Sequence, residues 1–298
     1  MEKQPEVTPA LILHGGAGNY VHGAVERSIP FLREVFQESW KILSKKGASE
    51  AVVHAVRRLE DHEDYNAGTG SKLQADGVIR MTASFMDSSK NRFSSVTNIC
   101  RVRYPIDVAY TLQSEPFPNL AGMEATLFAR ERGFKDYDPA TERQVKKYLS
   151  KNIAKGGTVG ACALDSSGIL AAATSTGGTG LETPGRVSDD ASPCGNYCTS
   201  DVAISATGIG EDFIDTSILP RLAGLLDYGV QTDEAFEYIS KYFRKMGGEG
   251  GYAALTHEGD VYVDFNSKGM RFYGVDSSGK IFSPEASPSC SRSHPDRD

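Results

Sequence analysis

The order of apolar segments along this chain restricts its fold more than any other feature. Segments with strand character, such as 158–165 and 168–176, come in groups, and pairs of helical segments stand between those groups. A chain built from βαβ units would instead alternate single strands with single helices. The sequence therefore predicts sheets covered by layers of helices, and it argues against a Rossmann fold.

Individual segments give more local predictions. Segments 78–87 and 92–103 alternate as an antiparallel strand pair, and Ser-Ser-Gly between 158–165 and 168–176 predicts a hairpin. Periodic spacing predicts single helices over 119–133 and 211–229.

Two further predictions concern the start of one helix and the C-terminal segment of the chain. A helix over 138–152 should begin at Asp138, as its cap, with Pro139 in the first turn. The segment 284–298 is polar and rich in serine and proline, which predicts a disordered tail.

Composition excludes several classes of function. The formal net charge is −7 and the pI is about 5.5, so the chain lacks the basic balance of a non-specific nucleic-acid binder. The apolar run near the N-terminus is too short for a signal-peptide core or a membrane span, which predicts a soluble, cytoplasmic protein without a membrane partner. The five cysteines are scattered, so no disulfide framework is predicted. Cys194 and Cys198 supply only two of the four ligands that a structural zinc site needs.

Four glycine-rich turns stand out: HGGAG, NAGTGS, STGGTGLETPGRVSDD and ATGIGED. HGGAG lacks the full dinucleotide-binding fingerprint, so a tight turn beside a sheet is the simpler interpretation. A fifth segment, AKGGTVGACALD, places two glycines directly before Thr158. Taken alone, that segment is an ordinary loop followed by a β-branched strand residue.

Together and in this order, these segments resemble the plant-type asparaginase and isoaspartyl-aminopeptidase family of N-terminal-nucleophile hydrolases. The resemblance runs from Leu11 to about Gly274, and PGRVSDD and TGIGE are its most specific pieces. It implies a single α+β domain over 1–298, folded as a four-layer αββα sandwich. It also implies self-cleavage into 1–157 and 158–298, and assembly as a dimer of the cleaved heterodimers.

The chemistry that the resemblance implies at Thr158 is physically coherent. A threonine hydroxyl is a poor nucleophile unless a base stands beside it. Cleavage of the Gly157–Thr158 bond would give Thr158 a free α-amine, whose ordinary pKa of about 7.7–8.0 leaves much of it neutral near pH 7. The Thr158 hydroxyl would make the cut by attacking the Gly157 carbonyl, in a turn that Gly156 and Gly157 permit because they lack a Cβ.

The family pattern assigns further roles to matching positions. Thr176, eighteen residues after Thr158, would bond to the nucleophile, and Asn66 would orient the catalytic groups. Three of the remaining matches would bind the substrate: Arg186 its α-carboxylate, and Asp189 with the Gly210 carbonyl its α-ammonium. The Thr207 hydroxyl and the Gly208 N–H would form the oxyanion hole. Each has a plainer alternative, such as an ion pair between Arg186 and Asp189 or a simple turn at Thr207.

The segment LEDHEDYNAGTG resembles the family's loop around a structural sodium ion, while no cofactor is expected for catalysis. Hard cations take oxygen ligands, often backbone carbonyls. By position the ligands would come from six residues of this loop: Leu59, Glu60, His62, Tyr65, Ala67 and Thr69. Alternatively, side-chain hydrogen bonds alone hold the loop.

The chain departs from the family pattern near the predicted substrate anchor. Ser88 and Ser188 stand where glycine is common, and 190–198 differs from the usual continuation. The linker before Thr158 is short, which could slow self-cleavage.

The resemblance implies an amidohydrolase that acts on L-asparagine, on isoaspartyl dipeptides, or on both. Three alternatives stay open: a glycosylasparaginase-like enzyme, a taspase-like threonine protease, and a binding protein whose precursor never cleaves. The sequence does not rank asparagine against isoaspartyl peptides.

Overall fold

Two sheets form the centre of the computed structural model of this chain, which describes residues 7–20, 23–152 and 157–286. The larger sheet has eight strands in the order β12-β11-β1-β5-β6-β2-β3-β4, and the smaller has four in the order β10-β9-β8-β7. The strands of the large sheet are β1 (Ala10–Gly18), β2 (Met81–Asp87), β3 (Ser94–Ile99), β4 (Asn119–Ala121), β5 (Val159–Leu164), β6 (Leu170–Thr176), β11 (Gly269–Val275) and β12 (Ile281–Phe282). Those of the small sheet are β7 (Asn196–Cys198), β8 (Val202–Gly208), β9 (Gly250–Thr256) and β10 (Val261–Phe265).

Eight α-helices accompany the sheets in the described part of the chain. Five precede β5: α1 (Ile29–Lys46), α2 (Ala48–Glu60), α3 (Pro105–Thr111), α4 (Gly122–Glu131) and α5 (Glu142–Ser150). Three lie between β8 and β9: α6 (Gly210–Thr216), α7 (Ile218–Asp227) and α8 (Thr232–Lys245).

Three apolar clusters show that the layers are stacked helix, sheet, sheet, helix. One cluster packs α1, α2 and α3 against the large sheet, and another packs α6, α7 and α8 against the small sheet. The third joins the facing sides of the two sheets, with Ile12 and Leu164 from one and Ala203 and Leu255 from the other. The predicted αββα sandwich is therefore confirmed.

The hairpin predicted between the strands after Thr158 is also confirmed. β5 and β6 pair antiparallel from Val159 opposite Ser175 to Leu164 opposite Leu170. β1 pairs along the other side of β5, so β5 lies at the middle of the large sheet. β2 and β3 form the predicted antiparallel pair.

Four local predictions are wrong. The tight turn predicted at HGGAG is instead the end of strand β1, which runs to Gly18 and is irregular in register between His14 and Ala17. Residues Asn119–Ala121 form β4, which pairs parallel to β3, and the helix begins only at Gly122. The predicted helix over 211–229 is divided at Ser217, whose left-handed conformation (φ 49°) ends α6 before α7 begins. α5 begins at Glu142 rather than beside Asp138, because the Thr141 hydroxyl accepts a hydrogen bond from the Gln144 N–H and caps the helix there.

Most of the predicted tail lies outside the described residues, which end at 286. Within the described part of the chain, no helix combines the length and apolarity needed to cross a bilayer.

Candidate active site

Thr158 lies directly before β5 and is almost fully buried, with 7 % of its surface exposed. Its hydroxyl donates to the Thr176 hydroxyl at 3.2 Å, and Thr176 is the last residue of the adjacent strand β6. The Gly178 N–H also donates to the Thr176 oxygen, at 3.2 Å. The pairing of β5 with β6 therefore brings together the two threonines that stand eighteen residues apart in the sequence.

The backbone before Thr158 passes through a crowded, left-handed turn. Gly157 has φ 119° and faces Gly16, which itself has φ 105°. A Cβ on Gly16 would lie 2.7 Å from the Gly157 Cα, and a Cβ on Gly157 would lie 2.9 Å from the Asn66 Cβ. Only glycine fits both the conformation and the space at these two positions. Gly156 lies outside the described residues.

Asn66 joins two glycine-rich loops beside this turn. Its side-chain N–H donates to the Gly178 carbonyl at 2.7 Å, and its Oδ1 accepts from the Lys72 N–H at 3.1 Å. Its own carbonyl accepts from the Gly177 N–H at 2.8 Å. The loops after α2 and β6 are thus fastened together next to Gly157.

Thr207 and Gly208 end strand β8 on the opposite sheet. The Thr207 oxygen accepts a hydrogen bond from the Ala17 N–H at 3.0 Å, so its hydroxyl proton is available to another acceptor. Ala17 follows Gly16, which packs on Gly157, and this links Thr207 to the backbone of the Thr158 turn. Sequence patterns gave no signal for the part played by Ala17.

Arg186, Asp189 and Gly210 form a second group. A Cβ on Gly210 would lie 2.8 Å from an Arg186 guanidinium nitrogen and would clash with the Asp189 carboxylate, so only glycine leaves room for both. Arg186 pairs with Glu211 rather than with Asp189: its Nε and Nη2 atoms donate to the two Glu211 oxygens at 2.6 and 2.7 Å. This bidentate pair holds the pKa of Glu211 below its usual value.

Glu211 is the functional neighbour that sequence reasoning missed. It follows Gly210 in the ATGIGED motif and lies in the first turn of α6, and its side chain is 55 % exposed against 14 % for Arg186. The sequence signal that could have identified Glu211 was its position directly after Gly210, the last glycine of the motif. Its pairing with Arg186 depends on how the 178–188 loop folds back over α6, which the sequence pattern does not encode.

Asp189 is buried beside a second carboxyl, Asp190. The Ser188 hydroxyl lies 3.0 Å from an oxygen of each. Burial raises the pKa of Asp189 to about 6, against the opposing effects of the Ser188 hydroxyl and the Arg186 charge. Burial, together with the charge of Asp189, also raises the pKa of Asp190 well above its usual value. Ser188, a departure from the family pattern, thus has a structural part as the bridge between the two carboxyls.

The loop predicted to hold sodium is compact and closed by its own backbone. The Glu60 carbonyl accepts from the Thr69 N–H at 2.7 Å, the Leu59 carbonyl from the His62 N–H at 3.3 Å, and the His62 carbonyl from the Tyr65 N–H at 3.1 Å. The Glu60 side chain has protein partners of its own, because its Oε1 accepts from the Ser175 hydroxyl and the Ile106 N–H. Within the described ranges, no cluster of three or more histidine, cysteine or acidic side chains could hold a metal ion.

Comparisons with known proteins show which family the chain is similar to. The model of the asparaginase family matches residues 7–155 and 142–281. An isoaspartyl peptidase/L-asparaginase of Nostoc sp. is 40 % identical over 256 residues, covering 78 % of this chain and 80 % of the relative. The isoaspartyl peptidase of Escherichia coli is 34 % identical over 292 residues, covering 87 % and 90 %. A plant-type L-asparaginase of Pyrococcus abyssi is 32 % identical over 294 residues, covering 88 % and 95 %.

Proposed function

The chain belongs to the asparaginase family, and from this we propose that it is an isoaspartyl peptidase and L-asparaginase whose nucleophile is Thr158. The proposal includes self-cleavage of the Gly157–Thr158 bond within a single αββα domain, giving fragments 1–157 and 158–298. The observation that carries it is the hydrogen bond between the hydroxyls of Thr158 and Thr176, directly after the left-handed turn at Gly157.

The proposed reaction has two steps. The α-amine of the freed Thr158 takes the proton of its hydroxyl, and the oxygen attacks the side-chain carbonyl of asparagine or the isoaspartyl carbonyl. Ammonia or an amino acid leaves with a proton, and the acyl group stays on the Thr158 oxygen. Water then hydrolyses that ester and releases aspartate.

Groups around Thr158 suit the charges that develop. The Thr207 hydroxyl, whose oxygen already accepts from Ala17, can donate to the developing oxyanion, as can the Gly208 N–H. Thr176 accepts from the nucleophile and so orients it. Asn66 holds the two loops that border the turn.

Substrate would be held by the group around Arg186. An α-carboxylate suits the guanidinium, and an α-ammonium suits the Asp189 carboxylate together with the Gly210 carbonyl. Because Glu211 already takes two of the Arg186 donors, an incoming carboxylate must share or displace this pair. The alternatives of a glycosylasparaginase-like or taspase-like enzyme carry no observation of their own here.

A paired assay tests the function. We expect purified protein to hydrolyse both L-asparagine and β-aspartyl-leucine, and intact mass spectrometry after incubation to find the fragments 1–157 and 158–298. Ammonia and leucine release are measured side by side on the same sample. A chain that stays whole and inactive on both compounds would instead support the non-cleaving alternative.

The pH dependence of the reaction should have two limbs. The Thr158 amine must be neutral, so kcat/KM should fall about tenfold per pH unit below about 8. Asp189 must be charged, and because its pKa is raised to about 6, ammonium binding is present above pH 6 and lost below it. The fall in kcat/KM should therefore steepen to about a hundredfold per unit below pH 6. Asp189→Asn should remove only the steeper limb, whereas an unchanged slope in the wild type would contradict the role of Asp189.

We also propose that the loop from Leu59 to Thr69 binds a structural sodium ion, which takes no part in the reaction. A closed loop rich in backbone oxygens fits a hard cation, since a carbonyl that accepts one hydrogen bond keeps a second lone pair. If bound there, Na⁺ would be held by the carbonyls of the loop from Leu59 to Thr69 and would stiffen the segment that leads to Asn66. No cofactor is proposed for catalysis.

The quaternary state and location are proposals of the same kind. We propose a dimer of cleaved heterodimers and a cytoplasmic location from the family resemblance alone. The proposed partners are the small-molecule or dipeptide substrates, without nucleic acid or membrane.

A further inference from the structure

A chain of polar side chains crosses the otherwise apolar space between the two sheets. The His14 Nε2 lies 2.7 Å from the Ser205 hydroxyl, and that hydroxyl lies 2.6 Å from the Thr174 hydroxyl. Thr174 in turn donates to the Asn196 Oδ1 at 3.2 Å. All four side chains are fully buried. Polar groups at such a place stabilise a fold only when their partners are held in good geometry.

These polar residues form the layer directly beneath the proposed site. Side chains two residues apart on a strand share a face of the sheet. Two members stand two residues from a residue of the proposed site on the same strand, Thr174 from Thr176 on β6 and Ser205 from Thr207 on β8, and the His14 imidazole packs against Gly160, two residues after Thr158.

Gly160 makes room for the imidazole. A Cβ on Gly160 would lie 2.5 Å from the His14 Nε2, so any other residue there would push His14 away from Ser205. His14 and Gly160 are direct partners in the pairing of β1 with β5. Gly160 is therefore needed to admit the His14 imidazole, and this requirement is separate from the turn at Gly157.

The protons along this chain can be placed from its far end. The Asn196 Nδ2 donates to the Ala172 carbonyl at 3.3 Å, so the Asn196 Oδ1 must face Thr174 as an acceptor. Thr174 then donates to Asn196 and accepts from Ser205. Ser205 in turn accepts from the His14 Nε2–H.

The imidazole at the other end is uncharged near neutral pH. Burial lowers the pKa of His14 to about 3, and the nearby Thr158 backbone opposes that shift only in part. The Nδ1 atom has no partner within hydrogen-bond geometry in the described part of the chain. His14 is therefore a fixed, neutral donor, and nothing in the geometry makes it a base for the reaction.

We propose that His14 is a positioning residue: through Ser205 and Thr174 it holds β6, which carries the nucleophile's partner Thr176, and β8, which carries the oxyanion donor Thr207, at a fixed separation. This inference rests on the proposed function. Four strands meet in the chain, β1 and β6 from the large sheet and β8 and β7 from the small one. An apolar contact would tolerate sliding between the sheets, whereas a chain of directional hydrogen bonds sets one separation.

Kinetics of His14 variants test the proposal. Because a displacement of about 1 Å can cost about a hundredfold in rate, we expect His14→Leu to lower kcat by about 10- to 100-fold with little change in KM. His14→Gln should recover most of kcat, because its amide N–H can donate to Ser205. Ser205→Ala and Thr174→Val should lower kcat in the same way. Rates are measured on mature protein, with the cleaved fraction counted by mass spectrometry.

Ile12→Val provides the matched control. Ile12 lies two residues before His14 on the same face of β1, is fully buried, and belongs to the apolar cluster between the sheets. This variant should lower the melting temperature and leave kcat unchanged. In the double variant His14→Leu/Ser205→Ala, the loss of kcat should be no larger than in His14→Leu alone, since both remove the same link.

Comparing His14→Leu with Thr158→Ala separates a failure of the positioning role from a failure of the proposed function. If Thr158→Ala is inactive while His14→Leu matches the Ile12→Val control in kcat, the positioning role is overturned and the proposed function stands. If Thr158→Ala stays active, the proposed function is overturned and the positioning role with it.

Discussion

Replacing Thr158 with alanine is expected to abolish both self-cleavage and hydrolysis of asparagine. The variant loses the hydroxyl that donates to Thr176, and an alanine side chain cannot form an acyl intermediate. Loss of a covalent nucleophile typically lowers turnover by about 10⁴- to 10⁶-fold. Ammonia release measured over hours, together with intact mass, should find a whole and inactive chain.

Thr158→Ser is the matched control for that variant. Serine keeps the hydroxyl and, after cleavage, the α-amine, so it should mature and turn over substrate at a reduced rate. Both variants remove the same methyl group, so a difference between them reports on the hydroxyl. If purified Thr158→Ala released ammonia near the wild-type rate, the assignment of Thr158 as the nucleophile would be refuted.

Replacing Arg186 with alanine should mainly weaken substrate binding. Removing one partner of a hydrogen-bonded charge pair typically costs about 2–5 kcal/mol, so KM for asparagine should rise by about 30-fold or more. Self-cleavage should persist, because Arg186 belongs to the group around Gly210 and Glu211 rather than to the Thr158 turn. Initial rates over a wide range of asparagine concentration separate the effect on KM from that on kcat.

Two further variants sharpen this experiment. Arg186→Lys keeps the charge but loses the planar fork, so its KM should fall between those of the wild type and Arg186→Ala. Glu211→Gln weakens the hold on Arg186 and should lower KM if the pair competes with substrate. An unchanged KM in Arg186→Ala would show that the substrate carboxylate binds elsewhere.

Much of this architecture could be predicted from the sequence. Apolar periodicity gave the hairpin after Thr158, and the grouping of strands and helices gave the layers, because both follow from residues near one another in the chain. The motifs also named Thr158, Thr176 and Asn66, which the structure brings together.

The missed features depend on contacts between distant segments. The strand at Asn119–Ala121 forms only because β3 offers an edge for parallel pairing, and helical spacing around it gives no hint of that edge. Glu211 lies within the ATGIGED motif, yet its partner Arg186 is 25 residues away in sequence. His14 is part of a glycine-rich turn in the sequence, and only the packing of two sheets gives it a role.

Strand order also decides what a break before Thr158 can do to the molecule. The segment before the break supplies β1, β2, β3 and β4, and the segment after it supplies β5, β6, β11 and β12, so the two are interleaved as neighbours at three seams of one sheet. The seams are the pairings β11–β1, β1–β5 and β6–β2. Neither fragment can dissociate while these strand pairings persist. A single cleavage therefore gives two polypeptides that remain one folded molecule. The halves would then share one unfolding transition and one lifetime.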